Sequence, residues 1–361
     1  MITLKNQSRF IFIDALRGVA ALSVVLFHIH AGSGAAVFSA TLPQFVQTLL
    51  KHGYLGVQIF FVLSGFVIAY SLKNAKIDFA YFSNFVLRRL IRLSPPYWAA
   101  IALVVFSRYV SNFFLADRVA ALPSWKQLLA HIFYLQNLLG LGNMSAIFWT
   151  LCIEIQFYLI FCILLATAQR LHLIRTFYKQ PESSTILLTF GFASLLVAAW
   201  PLGLVAKTLG AALFFPYFYM FLLGAFGCWA LESKILNNYF IFYSFLIFTS
   251  AVINGRIDSI FTVLISVLIY LVGKKRRLQD WFNLRALQYL GQISYSLYLT
   301  HSIVSLPILN LGHRITKDSV IGSFLWFLIA LIVSFLTAHF WWKLIEKPSV
   351  ELSKRFKPIV N

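Results

Sequence analysis

Charge is scarce in this 361-residue sequence: 11% of residues are Asp, Glu, Lys or Arg, and eleven of them are acidic. A soluble domain carries about a quarter charged residues, so a water-soluble globule is excluded. With 60% apolar residues and a mean hydropathy of +0.81, a disordered chain is excluded as well. Cysteine is equally sparse. Cys152, Cys162 and Cys228 all fall inside apolar runs, with no disulfide framework and no metal-type spacing. No repeat period, low-complexity tract or second soluble domain is visible.

What remains is an all-α, polytopic integral membrane protein. Thirty Lys and Arg give a net charge of +19, which in a soluble chain suggests nucleic acid. Here the surplus has a simpler cause, because cytoplasmic loops of membrane proteins collect Lys and Arg. Apolar runs long enough to span, about 20 residues, read as 11–31, 53–72, 95–116, 146–166, 185–205, 208–231, 239–254, 257–273, 288–311 and 320–342. The stretch 127–141 is shorter and carries Gln127, His131, Gln136 and Asn137, so it is expected to lie in the interface or re-enter without crossing. Ten crossings with both termini cytoplasmic then put 21 Lys and Arg inside and seven outside. An eleventh crossing would move Lys274, Lys275, Arg276, Arg277 and the basic C-terminus outside, against the positive-inside bias.

Ionisable groups within such spans face the protein interior and are functional candidates by default. Asp14 and Arg17 are three apart in the first span, close enough to pair. Arg17 and His28 are eleven apart, so they share a stripe with about 16 Å between their levels. Glu154 lies in the span after the doubtful stretch, with Trp149 and Gln156 near it. Ser294, Tyr298 and His301 share one face of a later span. Ser64 and Gly65 read as packing residues. Arg88, Arg89 and Arg92 gather three guanidinium groups on about one turn before Pro95 and Pro96, which are expected to open the third span. That cluster suits either an anchor to anionic membrane lipid or a seat for a phosphorylated ligand.

Six phrases in order carry a resemblance: DALRGVAALSVVLFH with Arg17 and His28, FFVLSGFVI at 60–68, RRLIRLSPPYW at 88–98, FWTLCIEIQFYL at 148–159, ISYSLYLTH at 293–301, and EKP at 346–348. Over nearly its whole length the chain resembles the membrane-bound acyltransferase-3 family, bacterial glycan O-acyltransferases of the inner membrane. Members often have Ser where Cys152 stands and a second acidic residue where Ile155 stands. Some carry a further esterase-like domain. With this sequence ending at Asn361, the expectation is one transmembrane acyltransferase domain over 1–342 and a basic cytoplasmic tail over 343–361.

The resemblance implies transfer of an acyl group, usually acetyl, from acyl-coenzyme A to a glycan hydroxyl, on a surface polysaccharide, O-antigen or exopolysaccharide. Acyl-coenzyme A is then a co-substrate, and no metal is called for. His28 is expected as general base. Arg17, oriented by Asp14, would hold the donor's phosphates or steady an oxyanion, while Glu154 would orient a histidine or bind acceptor hydroxyls. Arg88, Arg89 and Arg92 would seat the donor, and Trp149, Gln156, Tyr298 and His301 would line the acceptor site. The rival reading is a proton-coupled transporter or flippase of a glycan or lipid-linked sugar. Against it, the sequence shows neither a repeat nor a matched pair of broken helices.

Overall fold

The computed structural model describes residues 10–73, 75–114, 121–175, 182–206, 213–317 and 319–356, and these contain no β-strand. Helix α1 (Ile11–His30) is followed by the short α2 (Ala36–Thr41) and α3 (Gln44–Lys51), then by α4 (Gly56–Ser71). The long α5 (Phe79–Phe114), the short α6 (Trp125–Ile132) and α7 (Phe148–Arg175) come next. A π-helical turn joins α8 (Glu182–Ile186) to α9 (Phe192–Ala198). The chain continues through α10 (Phe215–Trp229), α11 (Lys234–Ile253), α12 (Ile257–Lys274), α13 (Arg285–Thr316) and α14 (Val320–Trp341). A second π-helical turn, Trp342–Glu346, leads into α15 (Lys347–Ser353).

Among the described residues, seven helical segments are long and apolar enough to cross a membrane. The remaining three expected spans are also helical, for separate reasons. The runs 185–205 and 208–231 coincide with the shorter apolar helices Glu182–Ala198 and Phe215–Trp229. Every residue of α10 from Phe218 to Trp229 is buried, so this helix is surrounded by protein. The run 288–311 belongs to α13, which has 32 residues but is diluted by buried Ser, Thr, Tyr and His side chains. The expected cytoplasmic segments 1–9, 176–181 and 357–361 lie outside the described residues.

The stretch 127–141 does not cross. Its one helix, α6, has eight residues and rises about 12 Å, against a hydrocarbon core of about 30 Å. Its polar side chains hold loop backbone. His131 is wholly buried; its Nδ1 donates to the Gln127 carbonyl at 2.8 Å and its Nε2 accepts from Met144 N at 3.1 Å. Burial pushes the His131 pKa down, in keeping with a neutral ring that uses both nitrogens. Gln127 and Asn137 donate to the carbonyls of Gly142 and Trp149.

Two expectations shift in the structure. Pro95 and Pro96 do not open a helix but lie inside α5. Their missing N–H groups free the carbonyls of Ile91 and Arg92, and nearby Tyr295 donates its hydroxyl to the Leu93 carbonyl at 2.8 Å. Such breaks are tolerated where neighbouring helices re-satisfy the backbone. Residues 343–353, the start of the expected tail, are helical, and Glu346 among them is buried.

Helices α1 and α13 run parallel and touch through glycine. A Cβ on Gly291 would stand 2.2 Å from the Asp14 carbonyl oxygen, and one on Gly18 would stand 2.7 Å from Leu290 Cβ. Farther along both helices, the rings of His28 and His301 meet at a centroid distance of 5.1 Å. Two parallel spans need an odd number of crossings between them. The seven expected spans from 53–72 to 257–273 meet that condition, and an extra crossing over 127–141 would break it.

Candidate active site

A cavity of about 480 Å³ opens among α1, α4, α5, α7, α13 and the segment from Trp342 to Lys354. Its size lies in the range of small-molecule sites. Arg17 and Asp14 enter it from α1, Arg89 and Arg92 from α5, Ser64 from α4, and Thr150, Glu154 and Tyr158 from α7. Ser294, Tyr295 and Tyr298 come from α13, and Glu346 from the π-helical turn. The helical period explains the choice among the arginines: Arg89 and Arg92, three apart, share a face, while Arg88 stands about 100° round the helix from Arg89 and is absent from the lining.

The cations of this cavity outweigh their partners. Arg17 Nη1 lies 3.6 Å from Asp14 Oδ1. The Arg89 guanidinium sits 5.4 Å and 4.8 Å from the ring centroids of Phe85 and Tyr158, a cation–π arrangement. Among the described residues no carboxylate comes within 4.0 Å of Arg92. Glu154 and Glu346 are engaged by neutral donors instead. Glu154 accepts from Ser64 Oγ at 2.9 Å and from the Tyr158 hydroxyl. Glu346, 7% exposed, accepts from Ser296 N at 3.2 Å and Ser296 Oγ at 2.5 Å. Guanidinium charge therefore faces the cavity, a surface suited to an anion with several oxygens.

At its inner end the cavity lining includes Val57, Phe60, Thr150 and Tyr298. Thr150 Oγ1 and the Tyr298 hydroxyl are 2.8 Å apart, and His301 follows Tyr298 by about one turn of α13. Neither His28 nor His301 lines the cavity. His28 is half-buried, with its ring against those of Phe27 and His301.

Two other expected site residues, Trp149 and Gln156, lie outside the lining of this cavity. Trp149 packs its ring against Phe61 and Tyr217. Gln156 donates to Cys152 Sγ at 3.5 Å and accepts from Phe214 N at 3.1 Å, tying α7 to the start of α10. The hydrogen bonds of Glu154 come from Ser64 and Tyr158, and both histidines lie elsewhere. Sequence reasoning missed three groups. Ser64 read as packing, Tyr158 as part of an apolar run, and Glu346 as tail; the EKP phrase was the one signal for Glu346. A larger cavity, about 810 Å³ between α5 and α6, is lined by Trp98, Tyr109 and aliphatic neighbours and offers no carboxylate, imidazole or cation.

Comparison with known proteins gives partial likenesses. The chain is 30% identical over 161 residues to peptidoglycan O-acetyltransferase OatA of Listeria monocytogenes, covering 41% of this chain and 23% of that protein. It is 27% identical over 168 residues to the putative O-acetyltransferase SACOL0978 of Staphylococcus aureus, covering 43% and 24%. Protein 2 in the picA locus of Rhizobium radiobacter is 35% identical over 117 residues, covering 32% and 51%. The matches thus span about a quarter of the two O-acetyltransferases and half of the third relative. No solved structure matches. Residues 10–342 match the acyltransferase domain of the acyltransferase-3 type along almost the entire chain, and the protein belongs to that family.

Proposed function

We propose that this protein transfers an acyl group, in the simplest case acetyl, from cytosolic acyl-coenzyme A to a hydroxyl of a bacterial surface or exported glycan. The observation that carries this reading is the convergence of Arg17, Arg89 and Arg92 on one cavity, in which no carboxylate of the described residues comes within 4.0 Å of Arg92. The donor is a polyanion, and guanidinium forks suit its phosphates. The relatives named as O-acetyltransferases, one of them acting on peptidoglycan, support acetyl transfer to a glycan.

Arg89 and Arg92 hold the donor's phosphates, with Arg17 oriented beside them by Asp14. From Arg17 to His28 α1 rises about 16 Å. One thioester carbonyl cannot touch both, since oxyanion donors act at about 2.7–3.1 Å. Arg17 therefore belongs to the phosphates, and His28 to the reacting end. His28 removes the acceptor's hydroxyl proton as the oxygen attacks the thioester carbon, an effect worth about 10²–10⁴ in rate. The new C–O bond forms, the C–S bond breaks, and the departing thiolate takes up a proton.

The test is purified protein in lipid nanodiscs with radiolabelled acetyl-coenzyme A and cell-surface polysaccharide as acceptor. Wild-type protein is expected to label the polysaccharide, and His28→Ala, folded by its melting curve, to lose at least about 10² in rate. Wild-type turnover by His28→Ala, or saccharide flux without any acyl donor, would falsify the assignment and favour a transporter.

A further inference from the structure

His301 is wholly buried. Its Nδ1 lies 3.0 Å and 2.8 Å from the carbonyl oxygens of Leu297 and Tyr298. A carbonyl can only accept, so Nδ1 carries the ring proton and Nε2 is left with a bare lone pair. That Nε2 is buried and has no hydrogen-bond partner among the described residues. Unpaired buried acceptors cost stability, and packing alone would be served as well by an apolar ring. The His28 ring stands against it, 5.1 Å between centroids and tilted by 45°, a separation typical of rings in contact.

We propose that His301 is the positioning partner of His28. This rests on His28 being the base. In the reacting complex the bare Nε2 of His301 accepts the N–H of one His28 nitrogen. That contact fixes the His28 tautomer and leaves its other nitrogen as the acceptor for the substrate's hydroxyl proton. When His28 takes that proton, the extra charge is shared across a charge-assisted N–H···N bond between the rings. The proton passes on to the thiolate as the acylated product leaves, so neither ring retains it. His301 touches no reacting atom, and the α1–α13 interface brings the two rings together.

The test sets two isosteric halves of the imidazole against each other. His301→Asn keeps a donor where Nδ1 stands and has nothing at the Nε2 position. His301→Gln brings its side-chain amide to the Nε2 position, where the oxygen accepts from His28. A purely structural role, holding the Leu297 and Tyr298 carbonyls, predicts that Asn works and Gln fails. The proposal predicts the reverse. His301→Asn loses about 10² in kcat with the KM for acetyl-coenzyme A nearly unchanged, while His301→Gln recovers at least about tenfold of that loss. Combined with His28→Ala, His301→Asn costs nothing further, because the two act as a unit. Equal activity of the Asn and Gln variants, high or low, or the Asn variant outperforming Gln, overturns the proposal. Wild-type protein and His28→Ala run alongside keep the two readings apart. A wild type that turns nothing over, or a His28→Ala at full rate, sinks the base assignment and this inference with it. A sound His28 dependence with Asn and Gln in the wrong order sinks this inference alone.

Discussion

The hydroxyls of Tyr298 and Thr150 stand 2.8 Å apart, and this bond joins α13 to α7 where the arginine-lined cavity ends, about one turn short of His301. In the proposed reaction the thioester must pass it to reach the histidines, so the pair acts as a latch between donor and base.

Tyr298→Phe removes that bond. One neutral hydrogen bond of about 1 kcal/mol corresponds to about a fivefold rise in the open population. The expected outcome is a comparable rise in acetyl-coenzyme A hydrolysis without acceptor, read as free thiol, with donor KM unchanged. Idle hydrolysis at the wild-type level would remove the latch.

The three arginines separate by position. Arg89→Gln and Arg92→Gln should each raise the acetyl-coenzyme A KM by about tenfold, the value of a charged contact of about 1.5 kcal/mol. Arg88→Gln should change it by less than about twofold, as expected for a side chain outside the cavity. Steady-state kinetics with saturating acceptor decide. Equal effects at all three positions would make the cluster a membrane anchor.

Gly291→Ala pushes a methyl group into the Asp14 carbonyl, 2.2 Å from where its Cβ would stand. Overpacking of this kind costs about 1–3 kcal/mol, and parting α1 from α13 also separates His28 from His301. A lower melting temperature and a fall in kcat are expected together. Gly227→Ala, whose Cβ would meet its nearest neighbour, a ring atom of Phe240, at 3.6 Å, is the control and should keep both. Full activity of Gly291→Ala would show that the close approach does not set the histidine pair.

Much of the arginine-lined end of the cavity was legible in the sequence, because helical spacing is a local property. The i,i+3 spacing of Asp14 and Arg17 predicts their pairing, and the same spacing puts Arg89 and Arg92 on one face. What failed to show were relations between distant segments. Gln156 accepts from Phe214 N, 58 residues away, and Trp149 packs against Phe61 and Tyr217. No periodicity encodes such pairings. His28 and His301 could each be singled out as an odd polar group in an apolar run, but nothing in either run announces the other. Glu346 was hidden for another reason: apolarity fades at the end of α14 while the helix itself continues through a π-helical turn, so hydropathy drew the boundary too early.

Because α1 and α13 climb side by side from the Gly18–Gly291 crossing, the bundle works as a ruler. The level of the anion seat and the level of the imidazoles are set by backbone rise, not by side-chain reach. In the proposed reaction a small activated acyl compound gripped at the guanidinium end would leave its carbonyl stranded far below the base. Only a carrier with a long flexible tether between handle and thioester can be held at one mark and react at the other.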